Sequence, residues 1–182
     1  MAEERNIHVK MAMVEPLGCF LIAWIAFQVA MFGFKQFGLD ASVAQVSFIV
    51  GVGLLVLAFL AFWQENILCT IVFGTLGAFF LEFPSMVGAG GLWSAVMIVG
   101  IILLLAMIIS LVQPVRLLPV LLFFAFLLFV TLAAWLNSPN DTMMSVFAAM
   151  STIVFLLALY LGTGVSLLVM RGKEVLPLLI KK

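Results

Sequence analysis

The chain has 182 residues, of which 66% are hydrophobic and 9% charged, and its formal net charge is zero. Soluble domains are roughly half apolar and about a quarter charged, so lipid must be the solvent for most of these side chains. A balanced charge with no basic block argues against nucleic acid as a partner. Two cysteines and one histidine are too few for a metal-ligand cluster, and no cofactor is expected.

Six apolar segments follow one another, at 16–34, 44–63, 67–83, 92–112, 117–136 and 143–170. A helix needs ~20 apolar residues to cross a bilayer, and runs of this length without period-2 alternation exclude a β-barrel. The expected fold is therefore all-α, a polytopic membrane protein of six transmembrane helices. Residues 1–12 read as a short cytoplasmic tail, 13–171 as the transmembrane domain and 172–182 as a cytoplasmic C-terminal tail. The first segment does not read as a signal peptide. Its apolar run is too long, the charge before it is balanced, and no small-residue cleavage site follows.

The first segment opens with "MVEPLGCF", Met13 to Phe20. Proline is tolerated in the first turn of a helix, where its missing N–H would be unpaired anyway. Glu15 is placed to interact with the positive end of that helix, and Gly18 permits close approach of a backbone or a solute. The breaks that follow carry turn chemistry: "KQFGLDAS", the very short "QEN" at 64–66, "PSMVGAGG", "QPVR" and "NSPND". The last segment is long and contains Gly162-Thr163-Gly164, so it is expected to tilt, bend or project beyond the lipid. The closing stretch "RGKEVLPLLIKK" is expected to rest on anionic headgroups.

Six spans put both termini on one side. That side receives Arg5, Lys10, Arg116, Arg171, Lys173, Lys181 and Lys182, against Lys35 alone on the other. The asymmetry places both termini in the cytoplasm. Trp63, Trp93 and Trp135 fall at span ends, as interfacial aromatics should, whereas Trp24 is expected to face protein. Cys19 and Cys69 lie within apolar runs and read as reduced packing residues.

No charged residue falls inside a span; Glu15 and Glu82 stand at the edges. A proton relay through side chains would have nothing to run on. No nucleophile–base pair or paired carboxylates occur, so an enzyme is not expected. Interior polar residues, among them Ser47, Thr70, Ser110, Thr131, Ser151, Thr152, Thr163 and Ser166, are expected to hydrogen-bond between helices, a few of them lining a solute path. Small residues four apart, Gly74 with Ala78 and Gly162 with Ser166, mark expected close helix contacts. Helices one, three and five all begin on the cytoplasmic side, near Pro16, Asn66 and Leu117. Three N-termini gathered at one mouth could receive a carboxylate without a basic side chain. Asn66 could cap its helix or turn its amide toward a solute.

The stretch "EPLGCF" resembles the second half of the N-P-A-P-L-G signature of the acetate/succinate uptake transporter family, through Pro16, Leu17 and Gly18. In order along the chain, "QENILC" and "FGTLGAFF" resemble the family's glycine–asparagine turn and aromatic third helix, with Asn66, Phe73, Gly77 and Phe79 keeping the pattern. Arg116, the pair Ala158 and Tyr160, and "GKEVLPL" at 172–178 continue it. Met13 and Val14 stand where the signature has Asn-Pro, and Glu15 where it has alanine.

The resemblance implies a cell-membrane channel or proton-linked transporter for acetate or a similar short-chain carboxylate. It also implies a hexamer with a pore through each protomer. Carried over residue by residue, the substrate pathway falls at Pro16, Leu17, Gly18, Phe20, Asn66, Phe73 and Gly77. An apolar constriction falls at Ile22, Leu76 and Ala125, with the bulkier Phe20, Phe73 and Phe124 within a few positions. A channel for a small neutral solute such as urea or an amide, and a non-transporting subunit packed on a partner, are the other readings. The carboxylate could cross partly hydrated, against backbone and hydroxyl donors, or as the neutral acid.

Overall fold

A backbone in hydrocarbon must satisfy its own N–H and C=O groups, and each apolar run does so as a helix. The computed structural model describes residues 14–34, 41–86, 92–172 and 175–178. Its helices are α1 Val14–Gly33, α2 Ala41–Trp63, α3 Ile67–Met86, α4 Leu92–Ser110, α5 Leu117–Asn137 and α6 Asp141–Arg171. The six expected spans are thus six helices, with ends that agree to within a turn. By length and composition five of them could cross a membrane. The apolar part of α3, Ile67–Phe83, is shorter, at the lower edge of the usual ~17–25 residues. Arg5, Lys10, Lys35, Lys173, Lys181 and Lys182, and the loops at 35–40 and 87–91, lie outside the described residues.

The helices close a ring in chain order. The pairs α2–α3, α1–α6 and α4–α5 share the longest contacts, and α5–α6, α1–α2 and α3–α4 complete the circle. Small residues set the tight pairs. A Cβ on Gly51 of α2 would stand 2.5 Å from the backbone nitrogen of Leu81 in α3, and one on Gly77 would stand 2.8 Å from that of Leu55. Across α1–α6, Gly162 faces Cys19 and the carbonyl of Pro16, and Gly33 faces Ala148. Small-residue spacing therefore marks helix crossings as expected at Gly162. Gly74 makes only an ordinary contact, 3.7 Å from Ala58 Cβ.

The hydroxyls correct an expectation. Among the hydroxyls named above, Ser47 and Ser151 bond across helices, to the carbonyls of Phe80 and Ala26 at 2.8 Å each. Thr70, Ser110, Thr131, Thr152, Thr163 and Ser166 instead donate to carbonyls three or four residues back in the chain. A hydroxyl in lipid always has that local acceptor, so it needs no neighbouring helix. Trp24 is 42% exposed on the single chain and shares the outer face of α1 with Leu17 and Phe27.

The connections follow local chemistry. Between α2 and α3 the chain reverses through Glu65 at φ 59°, and the Asn66 N–H returns to the Ala61 carbonyl at 2.9 Å. Asn140 caps α6, its side chain accepting from the Met143 N–H at 2.7 Å, and Gly172 ends it at φ 65°. The 31 residues of α6 form one unbroken helix through Gly162-Thr163-Gly164. At 1.5 Å per residue it is ~46 Å long against a hydrocarbon core of ~30 Å, so it must tilt or project beyond the lipid.

The C-terminal segment uses that length. Beyond Gly172 the chain turns back along α6. Leu178 is fully buried against Gly164, and the Tyr160 hydroxyl donates to the Pro177 carbonyl at 3.3 Å. Leu178 therefore packs on α6, while the tail lysines lie outside the described residues.

Gly51→Ala is expected to cost about 1–3 kcal/mol, since the backbone of α3 must move aside. Gly74→Ala should be nearly neutral, and melting temperatures in detergent compare the two. Leu178→Asp should release the tail and speed its cleavage in limited proteolysis by roughly tenfold or more, through loss of ~1.5–3 kcal/mol of burial.

Candidate functional site

The starts of α1 and α3 meet through one polar cluster. Asn66 precedes α3 and is 9% exposed. Its Oδ1 accepts from the Cys69 N–H at 3.1 Å, which caps the helix. That bond fixes the amide plane, and the Nδ2 group then donates to Glu15 Oε1 at 3.0 Å. The Cys69 thiol lies 3.7 Å from the same oxygen. Asn66 thus caps its helix, and one N–H of its amide meets a carboxylate of the chain. Glu15, expected to serve its own helix end, reaches across to α3.

Two cavities lie between the helices. The smaller, of about 70 Å³, is at the end where α1, α3 and α5 begin. Its walls include Glu15, Cys19, Cys69, Phe73, Gln113 and Leu118. The larger, of about 210 Å³, occupies the other end, with Phe32, Phe79, Phe83, Phe129, Trp135 and Phe147 in its walls. Each exceeds the ~10–15 Å³ that one water needs. The aromatic wall is self-supporting. Phe79 meets Phe129 at 5.1 Å, and Trp135 stacks on Phe147 with ring planes 4° apart. The hydroxyls of Ser47 and Ser151, which also border the large cavity, are already spent on backbone carbonyls.

Three residues line both cavities: Ile22 from α1, Leu76 from α3 and Ala125 from α5. Leu76 and Ala125 are buried, and all three present only carbon to the space between. Among the residues expected along a path, Phe73 lines the small cavity. Gly18 is buried behind it, and a Cβ on Gly18 would run into the Phe73 ring. Pro16 is also buried but borders neither cavity, while Leu17 and Phe20 stand on the outer face at 51% and 37% exposure. Gly77 sits at the α2–α3 crossing, against Leu55 and Gly51.

Sequence reasoning missed Cys19, Cys69 and Gln113 as cavity walls, and it missed the Trp135–Phe147 stack. The two cysteines are free and buried. Their placement follows from helix rotation, which the sequence does not display. The Glu15–Asn66 bond had a visible signal: two polar residues at the starts of helices that begin on the same side.

No family model matches the sequence, and no curated protein matches it. Among solved structures the chain is similar to the bacterial acetate channel SatP, with a TM-score of 0.80 and 20% sequence identity. The alignment covers 92% of this chain and 98% of that one. At this identity the likeness is one of fold: the six-helix ring is an architecture that the two share.

Asn66→Ala removes the α3 cap and the donor to Glu15 together. It should cost about 2–4 kcal/mol, from a lost cap and an unpartnered acceptor. Asn66→Ser keeps a capping oxygen and should lose about half as much. Thermal melting of the detergent-solubilised variants measures both.

Proposed function

We propose that the chain is a membrane channel or proton-linked transporter for acetate or a similar short-chain carboxylate. Its path runs within each protomer from the small cavity, past Ile22, Leu76 and Ala125, into the large cavity. The observation that carries this reading is the meeting of two cavities at a single layer of three side chains, one from each odd-numbered helix. The shared fold with a bacterial acetate channel supports the choice of solute. The same reading makes the protein a multi-pass component of the cell membrane with both termini in the cytoplasm. It also assembles as a homo-oligomer, a hexamer by the resemblance of its motifs, and performs no covalent chemistry.

The three-residue layer acts as the constriction. An isolated carboxylate moved into a low-dielectric medium costs tens of kcal/mol in the idealised limit. Ile22, Leu76 and Ala125 offer no donor to offset that cost. The solute therefore crosses this layer either with water or as the neutral acid, and the second route carries its own proton without a relay. A small neutral solute such as urea or an amide is the second reading, favoured by a large cavity whose walls hold no charged residue.

Purified protein in liposomes should take up labelled acetate faster than protein-free vesicles, and an inward proton gradient should speed uptake. Leu76→Ala should widen the layer, raise acetate flux roughly tenfold for about 1.4 kcal/mol off the barrier, and admit longer monocarboxylates. Uptake indistinguishable from empty vesicles would end the carboxylate reading, and an unaltered solute range in Leu76→Ala would return Leu76 to packing.

A further inference from the structure

We infer that Glu15 is a specificity-determining residue of this path: its carboxylate and the bonds it draws in deny the small cavity to organic anions, so that the solute enters uncharged. The inference rests on the reading of the chain as a carboxylate path and specifies the form in which that substrate passes.

Three helix N-termini at one mouth would ordinarily suit an anion, because each offers unpaired N–H groups and a partial positive charge. Here some of those donors are engaged within the protein. At α3 the Cys69 N–H goes to Asn66 Oδ1, and the Asn66 amide goes to Glu15. At α1 the second residue is Glu15 itself, whose carboxylate lies across the mouth against Asn66 and Cys69. At α5 the first turn contains the buried Pro119, which has no N–H to give, and the Arg116 side chain makes no cap bond. A solute carboxylate arriving in the small cavity would meet Glu15, a carboxylate of the protein, on the same wall and already bonded to the Asn66 amide.

The other walls add no positive charge among the described residues. From α1 the groups beside Glu15 include Cys19, from α3 Cys69, and just before α3 the bonded Asn66. From the α4–α5 connection come Gln113 and Val115, and from α6 the apolar Leu161 and Val165. Among the described residues no lysine, arginine or histidine lines this cavity, and Arg116 is exposed outside it. Beyond lies the layer of Ile22, Leu76 and Ala125, which offers carbon alone. An uncharged carboxylic acid or amide meets none of the repulsion and can still donate to an acceptor oxygen at the Glu15 wall.

The test compares wild type with E15Q, E15A and E15D, reconstituted in planar bilayers and in liposomes. Acetate current in sodium acetate reports the anion, and acetamide flux reports an uncharged solute of the same shape. Wild type should carry no acetate current above protein-free bilayers, and its acetate uptake should follow the acetic acid concentration as pH is varied. E15Q and E15A should raise the ratio of acetate current to acetamide flux about tenfold or more, the lower end of what a fixed charge does to the local concentration of an ion. E15D, which restores the charge, should bring the ratio back toward wild type.

A wild-type acetate current as large as that of E15Q would overturn the inference and leave the carboxylate reading in place. Acetamide flux without acetate uptake at any pH would end the carboxylate reading and leave the filter standing. Passage of neither solute would end both. Should the variants fail to fold, the wild-type measurement decides alone. A current in sodium acetate at a pH where acetic acid is negligible overturns the inference, and uptake that tracks acetic acid supports it.

Discussion

A polar group placed in hydrocarbon has no water to turn to, and everything else in this molecule is arranged around that constraint. The backbone answers it by coiling. Most hydroxyls answer it by bonding to a carbonyl of their own helix. Because neither solution asks anything of a neighbour, helices can be held together mainly by shape, and shape is best where side chains are smallest. Gly51 and Gly77 let α2 and α3 come nearly to backbone contact, and Gly162 and Gly33 do the same for α1 and α6. Ser47 and Ser151 sit at those same two pairs and add the cross-helix bonds.

Close pairing has a geometric consequence. When α2 clings to α3 and α6 to α1, space is left at the centre of the ring, and the odd-numbered helices face it. Apolar and aromatic side chains fill much of that centre. What stays empty is divided by Ile22, Leu76 and Ala125 into a small chamber and a large one. The two chambers differ in chemistry because the two ends of the helices differ. The large chamber is walled by interlocking rings whose edges and faces satisfy one another. The small chamber borders the helix starts, where caps and carboxylates are needed, and so it holds the polar cluster of Glu15, Asn66 and Cys69.

That cluster also ties the site to stability. Asn66 serves α3 as a cap and Glu15 as a donor, so one side chain supports a helix start and orients a charge. The fold shared with a bacterial acetate channel at 20% identity is consistent with such economy. An architecture built on backbone proximity and apolar filling tolerates wide change in residue identity.

Much of this was legible in the chain itself. Hydropathy alone determined that there are six helices, where each begins and ends to within a turn, and that the class is all-α, because a bilayer permits little else for runs of ~20 apolar residues. Turn chemistry located the 64–66 reversal and the break at "NSPND", in which the structure makes Asn140 the cap. The sequence by itself did not determine the rotation of each helix about its axis. In an almost wholly apolar segment the lipid face and the protein face have nearly the same composition, so no periodic signal separates them. Only the tertiary structure decided that Leu17, Phe20 and Trp24 look outward, that Gly77 serves a crossing, that the tail returns onto α6, and that Glu15 and Asn66, fifty-one positions apart, share a hydrogen bond. Those facts belong to the packing of backbones at small residues, a long-range fit that no local stretch of sequence encodes.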